Sequence, residues 1–268
     1  LCGISLPDGV KFDGVSLRPL LEKGDHQGWP DRIIMTDSQN SGPPRKWLTT
    51  TVMSERWRLV DGRQLYDIDA DPSQATNVHS KHPEVVARLS AYYDELWADI
   101  EPTFKDIAEI PLGDPRAKSV ALNYHDCMAR HMFWYQDGIR RTGTKIVAQG
   151  AKRPAAFWPV NVVADGEYTV ELRRWPKELG AAIHADVPPG EPVYGRAAQR
   201  TTPGVGFPAV EAILDIGKQR LTEAVSEDDA GVTFRVKLAK GSQRLSARFV
   251  GVKGNSLDVY YVYVTRAD

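Results

Sequence analysis

Apolar residues in the second half of this chain recur at every second position, and that period limits the fold more than any other feature. Tyr168, Val170 and Leu172 alternate with Thr169, Glu171 and Arg173. Phe234, Val236 and Leu238 alternate with Thr233, Arg235 and Lys237, and Leu245, Ala247 and Phe249 with Ser246 and Arg248. A period of two puts successive side chains on opposite faces of a strand, so each run has one apolar and one polar face. From Ser119 onward such short strands follow one another, separated by Gly, Pro, Asn and Asp. Asp258 to Thr265 adds an aromatic and valine-rich last strand. Strands that are apolar on one face bury it by pairing two sheets, so residues 119–268 read as an all-β sandwich. Pro188 to Pro208 is the least regular part and reads as a long loop. No fixed-period repeat is present.

The first hundred residues are patterned differently. Arg32 to Thr36 and Trp47 to Met53 read as strands, with a loop from Ser38 to Pro44 between them. Arg56 to Val60 alternates between faces. Asp61-Gly62 is a hairpin turn signal, and Gln64 to Ile68 is the return strand. Trp57, Leu59 and Leu65 are expected on the core side. A helix then starts near Ser80 and Pro83, and Pro102 ends it. Val85, Val86, Leu89, Tyr92, Tyr93, Leu96 and Trp97 give it an apolar stripe at helical spacing, which predicts packing across the sheet. The fold class is therefore α+β: a small antiparallel sheet with one long packed helix over residues 1–105, a linker at 106–118 around Ile110 to Pro115, and the sandwich at 119–268. A length of 268 residues suits two domains.

Charge excludes some functions. Lys plus Arg is 34 and Asp plus Glu is 35, so the net charge is −1 and no global field draws in nucleic acid or an anionic membrane. No apolar run reaches the ~18–20 residues of a membrane-spanning helix. The two cysteines, Cys2 and Cys127, form no CxxC and read as buried thiols, with a long-range disulfide left open. P-loop, GxGxxG, HExxH and GxSxG patterns are absent. His79 and His82 lack a third ligand at a matching offset and read as solvated. His125-Asp126 with His131 reads as structural. Asp67, Asp69 and Asp71 alternate as in a calcium loop, but the sixth and twelfth places hold Pro72 and Val78 where that loop needs Gly and Glu. No metal site is expected. Trp134, Trp158 and Trp175 lie in the β-rich half and are candidates for a platform on which sugar rings stack.

Several runs in the first hundred residues resemble one known family. Leu1-Cys2-Gly3-Ile4, Leu6-Pro7, Phe12-Asp13-Gly14-Val15-Ser16-Leu17 and Pro19-Leu20-Leu21 resemble the C-terminal side of sulfatases, where a "CG" or "AG" pair precedes "DGxSLxPLL". So do Lys46-Trp47, Val52-Met53, Trp57 to Gly62, Gln64 to Ile68, Asp71-Pro72, Gln74, Asn77-Val78 and His82 to Val86. Residues 110–268 resemble the accessory β-modules of some bacterial arylsulfatase-like proteins, most closely at Glu167 to Pro176. The resemblance implies a parent sulfuric-ester hydrolase, periplasmic or secreted, with a large N-terminal catalytic domain. In the family that domain carries a formylglycine made in a C/S-x-P/A-x-R motif, a calcium site, and basic groups that hold the sulfate. None of these can be assigned here. Cys2 is followed by Gly3, Ile4 and Ser5, and Cys127 has Ala129 in place but His131 where Arg is required.

The expectation is thus a chain beginning at Leu1, just inside a sulfatase, and inactive alone. The family also implies an apolar face around the first hundred residues, turned to the missing domain or to a second copy in an oligomer. Its loops edge the substrate cleft, which makes Gln39, Asn40, Arg45 and Lys46 the candidate edge residues. The competing expectation is a sandwich that binds sulfated carbohydrate, or one that serves structure only.

Overall fold

The computed structural model describes residues 8–10, 12, 14–24, 29–39, 44–128, 156–198 and 201–267. They form two compact units, residues 1–39 with 45–101 and residues 40–44 with 102–268.

In the first unit a short helix, α1 (Arg18–Lys23), is stopped by Gly24 in the left-handed region, whose N–H returns to the Leu20 carbonyl. Four antiparallel strands follow: β1 (Ile34–Asp37), β2 (Thr50–Met53), β3 (Trp57–Val60) and β4 (Gln64–Asp67), side by side in that order. Asp61 and Gly62 have φ of 49° and 66°, the paired positive values that a type I′ hairpin turn demands. Val52, Leu59 and Leu65 are cross-strand partners on one face, all fully buried. The long helix α2 (Pro83–Ile100) packs on β2 and buries Leu89, Tyr93 and Trp97, one heptad-like stripe at i, i+4, i+8. Trp57, Leu59 and Leu65 are core residues, as their alternation predicted.

The helix begins three residues later than Ser80, because His79–Lys81 forms a 3₁₀ turn and Pro83 takes the first helical position. The second strand is also shorter than its sequence suggests. Trp47 and Thr49 sit at φ of 58° and 52°, so extended backbone starts only at Thr50.

The second unit contains β5 (Ile110–Leu112), β6 (Ser119–Asn123), β7 (Trp158–Val162), β8 (Gly166–Arg173), β9 (Ala209–Ile216), β10 (Gln219–Ala224), β11 (Val232–Leu238), β12 (Gly241–Gly251), β13 (Ser256–Asp258) and β14 (Tyr261–Arg266). One sheet runs β10-β9-β12-β7-β5 with β13 beside β12, and the other β11-β8-β14-β6. Their inward rows share a single core. Leu214, Leu245, Phe249, Val160 and Trp158 come from the first sheet, and Val170, Leu172, Phe234, Val236, Val262 and Leu122 from the second. Period-two patterning produced this sandwich as expected. The segment read as a linker is different. Ile110–Leu112 pairs in parallel with Val160–Val162 and buries Leu112 completely. Its three residues are too few to show an alternation, and Pro111 there points away from a central strand. Proline is tolerated because β5 is the edge of its sheet.

Candidate functional site

The loop proposed to edge a substrate cleft closes through Gln39. Its carboxamide oxygen accepts from the Arg45 N–H at 2.7 Å, and its nitrogen donates to the Arg45 carbonyl at 2.8 Å and to Asp37 Oδ2 at 2.9 Å. Asp37 Oδ2 also accepts from the hydroxyl of fully buried Thr50 at 3.0 Å. Gln39 therefore holds the backbone of Arg45, a structural role beside the edge role its chemistry suggested. Lys46 is held too: its Nζ lies 2.7 Å from Asp94 Oδ1. Arg45 is exposed, and its side chain makes no hydrogen bond or ion pair among the described residues. Asn40 lies outside them.

Trp158 and Trp175 do not form a platform. Trp158 is 1% exposed, and its indole N–H donates to the Asn123 carbonyl at 2.7 Å. Trp175 is 5% exposed, donates to the Ala185 carbonyl at 3.0 Å, and carries the Arg174 guanidinium 4.7 Å from its ring centroid. Rings buried on both faces with their only donor satisfied are packing groups, not docking surfaces. Trp134 lies outside the described residues.

The polar face of the four-stranded sheet offers a different surface. On β14, Val262 and Val264 point to the core, so Tyr261 and Tyr263 stand on the outer side, half-buried. Tyr263 is paired with Glu171 on β8 and with Ala121 on β6, and Tyr261 with Arg173 and Asn123. Arg173 Nε lies 2.7 Å from Glu171 Oε1, and Lys177 Nζ lies 2.6 Å from Glu171 Oε2 and 4.3 Å from the Tyr263 ring centroid. The Lys177 N–H also donates to the Tyr263 hydroxyl oxygen at 3.2 Å. Burial pushes the Glu171 pKa up, but Lys177 and Arg173 outweigh it and hold the carboxyl below its ordinary value.

One flank of Tyr263 is thus locked by an ion-paired lysine. The other flank faces Ala121, whose single methyl group leaves the ring open along exposed Ala121 and Ser119. An aromatic ring beside a polar row of Ser119, Asn123 and Thr265, in which the Thr265 hydroxyl donates to Ser119 Oγ at 2.9 Å, can take a sugar ring by stacking and hydrogen bonding.

The signal for this surface was present in the run Tyr-Val-Tyr-Val at 261–264, where both tyrosines occupy the polar phase. It is hidden when the strand is read only as aromatic and valine-rich.

Among the described residues no group of three or more His, Cys, Asp or Glu side chains converges as a metal site would require. Asp67 pairs with Arg56, and Asp71 accepts from Ser73 and Thr76, so the calcium-like run is a strand end and a turn. His82 packs against the Trp57 ring at 4.8 Å. Cys127 is a buried thiol donating to the Tyr124 carbonyl. Burial, with Asp258 and Asp126 nearby, pushes its pKa up to about 12, so it is no nucleophile. His131 and the residues that follow Met128 in the near-match to the formylglycine motif lie outside the described part.

No family model matches the chain, and no curated protein does. Among solved structures it is similar to a ruminal GH26 endo-β-1,4-mannanase, with 12% identity over 56% of this chain and a TM-score of 0.28. The similarity spans 26% of that enzyme. A family 35 carbohydrate-binding module from Clostridium thermocellum gives 11% identity over 56% of this chain and 92% of its own, at a TM-score of 0.25. A CBM35 from Cellvibrio japonicus gives 12% identity over 42% and 67%, at 0.26.

Proposed function

We propose that the sandwich is a carbohydrate-binding module and that its site is the outer face around Tyr263. The observation that carries this reading is the half-exposed Tyr263 ring, fixed on one side by Lys177 and open on the other over Ala121. The ligand is a sulfated glycan. The outer rows of β8 and β11 bear Arg173, Arg235 and Lys237 against Glu167 and Glu171, and Lys177 beyond β8 and Asp126 beside Asn123 add one charge of each sign, which leaves the balance positive. Charge of that sign attracts sulfate esters and makes binding weaken with salt. Affinity electrophoresis through gels containing sulfated or unsulfated polysaccharide tests it. Retardation by the sulfated gel is expected, and equal mobility in every gel would refute the reading.

A second reading applies to the first unit, as the C-terminal subdomain of a sulfuric-ester hydrolase of the arylsulfatase type. It is favoured by a run of large apolar side chains left exposed: Val10, Phe12, Val15, Leu17, Leu21 and Ile34 are each 43–67% accessible. Apolar surface concentrated in one short stretch marks an interface, here with a catalytic domain that supplies the calcium and the formylglycine. A host-sulfatase-free preparation of this chain should not hydrolyse an aryl sulfate, and turnover above background would refute the assignment.

A further inference from the structure

The first unit also contains a cleft, which shares Ile34 with the exposed apolar run. Its volume is about 570 Å³, within the ~300–1,000 Å³ of small-molecule sites. The floor is apolar: Ile34 and Met53 are cross-strand partners on the sheet face opposite α2, and Trp29 forms a wall. Arg58 is the next residue in the same row, paired with Met53. One of its terminal nitrogens donates to the Ser54 and Trp57 carbonyls at 2.7 and 3.1 Å, which fixes the guanidinium and leaves its other donors unused among the described residues. Arg32 lies with its guanidinium carbon 5.2 Å from the Trp29 ring centroid and makes no ion pair among those residues.

Two carboxylates also line the cleft, and among the described residues neither forms an ion pair with Arg32 or Arg58. Asp31 accepts from the Glu55 N–H at 3.0 Å and faces Arg88 at 3.9 Å. Glu55 forms no ion pair among the described residues. An aromatic wall, an aliphatic floor and two guanidinium groups without a carboxylate partner among the described residues suit a negative charge carried on a flat body.

We propose that this cleft binds a small organic oxyanion, a sulfate or carboxylate on an apolar ring. The ring lies against Trp29 and Met53, and the oxyanion bridges Arg32 and Arg58. Glu55 is the opposing charge and sets an upper limit on affinity.

The proposal is independent of glycan binding by the sandwich and is tested on the whole chain by NMR titration with phenyl sulfate, benzoate and neutral benzyl alcohol. Saturable binding of the anions near about 1 mM is expected, with benzyl alcohol at least tenfold weaker. The tighter anion identifies the oxyanion. Arg32→Gln removes no hydrogen bond of the fold and should weaken binding about tenfold, while Glu55→Gln should tighten it about two- to threefold. Arg58→Gln should also weaken it, with a melting curve recorded alongside because its backbone contacts are lost. No saturable anion binding up to ten times that concentration, equal binding of benzyl alcohol, or Arg32→Gln and Glu55→Gln titrations identical to wild type would each overturn the proposal.

Discussion

Replacing Trp158 by alanine separates a packing role from a docking role. The side chain is 1% exposed, sits on β7 in the middle of the sandwich core, and donates its indole N–H to Asn123 at 2.7 Å. Truncating a buried Trp to Ala costs about 3–5 kcal/mol in lost transfer energy and residual cavity. In a unit of this size each kcal/mol lowers the melting temperature by roughly 2–4 °C, so a fall of about 6–20 °C is expected. Scanning calorimetry reads the shift, and affinity electrophoresis well below the new transition reads glycan binding. The account predicts large destabilisation with retardation intact while the protein is folded. A melting temperature within about 1 °C of wild type, together with lost retardation, would return Trp158 to a sugar platform and refute the burial argument.

Two further substitutions and one chemical modification probe the fold. Gly113 has φ of 78°, and a methyl group there would stand 2.1 Å from the hydroxyl of buried Tyr168. Gly113→Ala should therefore cost roughly 2–4 kcal/mol by chemical denaturation. Burial pushes the Asp215 pKa up, but the Arg220 hydrogen bond and the charges of Arg220 and Arg248 bring it below normal. A depressed folded pKa stabilises above the ordinary value of about 3.9 and is lost as pH falls through the folded value. Asp215→Asn should lower the melting temperature by roughly 1–4 °C at pH 7, with the gap closing in acid; a constant gap would contradict this. Cys127, with its pKa raised to about 12, should resist iodoacetamide at pH 8 in the native chain and react fully in denaturant, as read by mass spectrometry of its peptide.

Much of the fold could be read from periodicity. Alternation at Trp57, Leu59 and Leu65 and the stripe containing Leu89, Tyr93 and Trp97 placed sheet and helix, because burial on one face leaves its period in the sequence. The edge strand Ile110–Leu112 could not be read, since three residues with a central proline carry no period. The functional surfaces were less legible for a related reason. Trp158 and Trp175 attracted attention by residue type, yet both occupy inward positions. Tyr261 and Tyr263 lay on the polar phase of a strand whose aromatic content made it look like core. Gln39 was chosen for its chemistry, while the six-residue closure it makes with Arg45 depends on a folded loop. The Trp29, Arg32 and Arg58 cleft joins residues up to 29 positions apart, brought together by the pairing of β1 with β2 and β2 with β3, which no local pattern encodes.

The central claim rests on one ring. Tyr263→Ala should leave the melting temperature within a few degrees of wild type, because the side chain is half-exposed on the outer face. In affinity electrophoresis against a sulfated polysaccharide, the account predicts about a tenfold loss of affinity for that variant relative to wild type. Undiminished retardation of a folded Tyr263→Ala protein would contradict it.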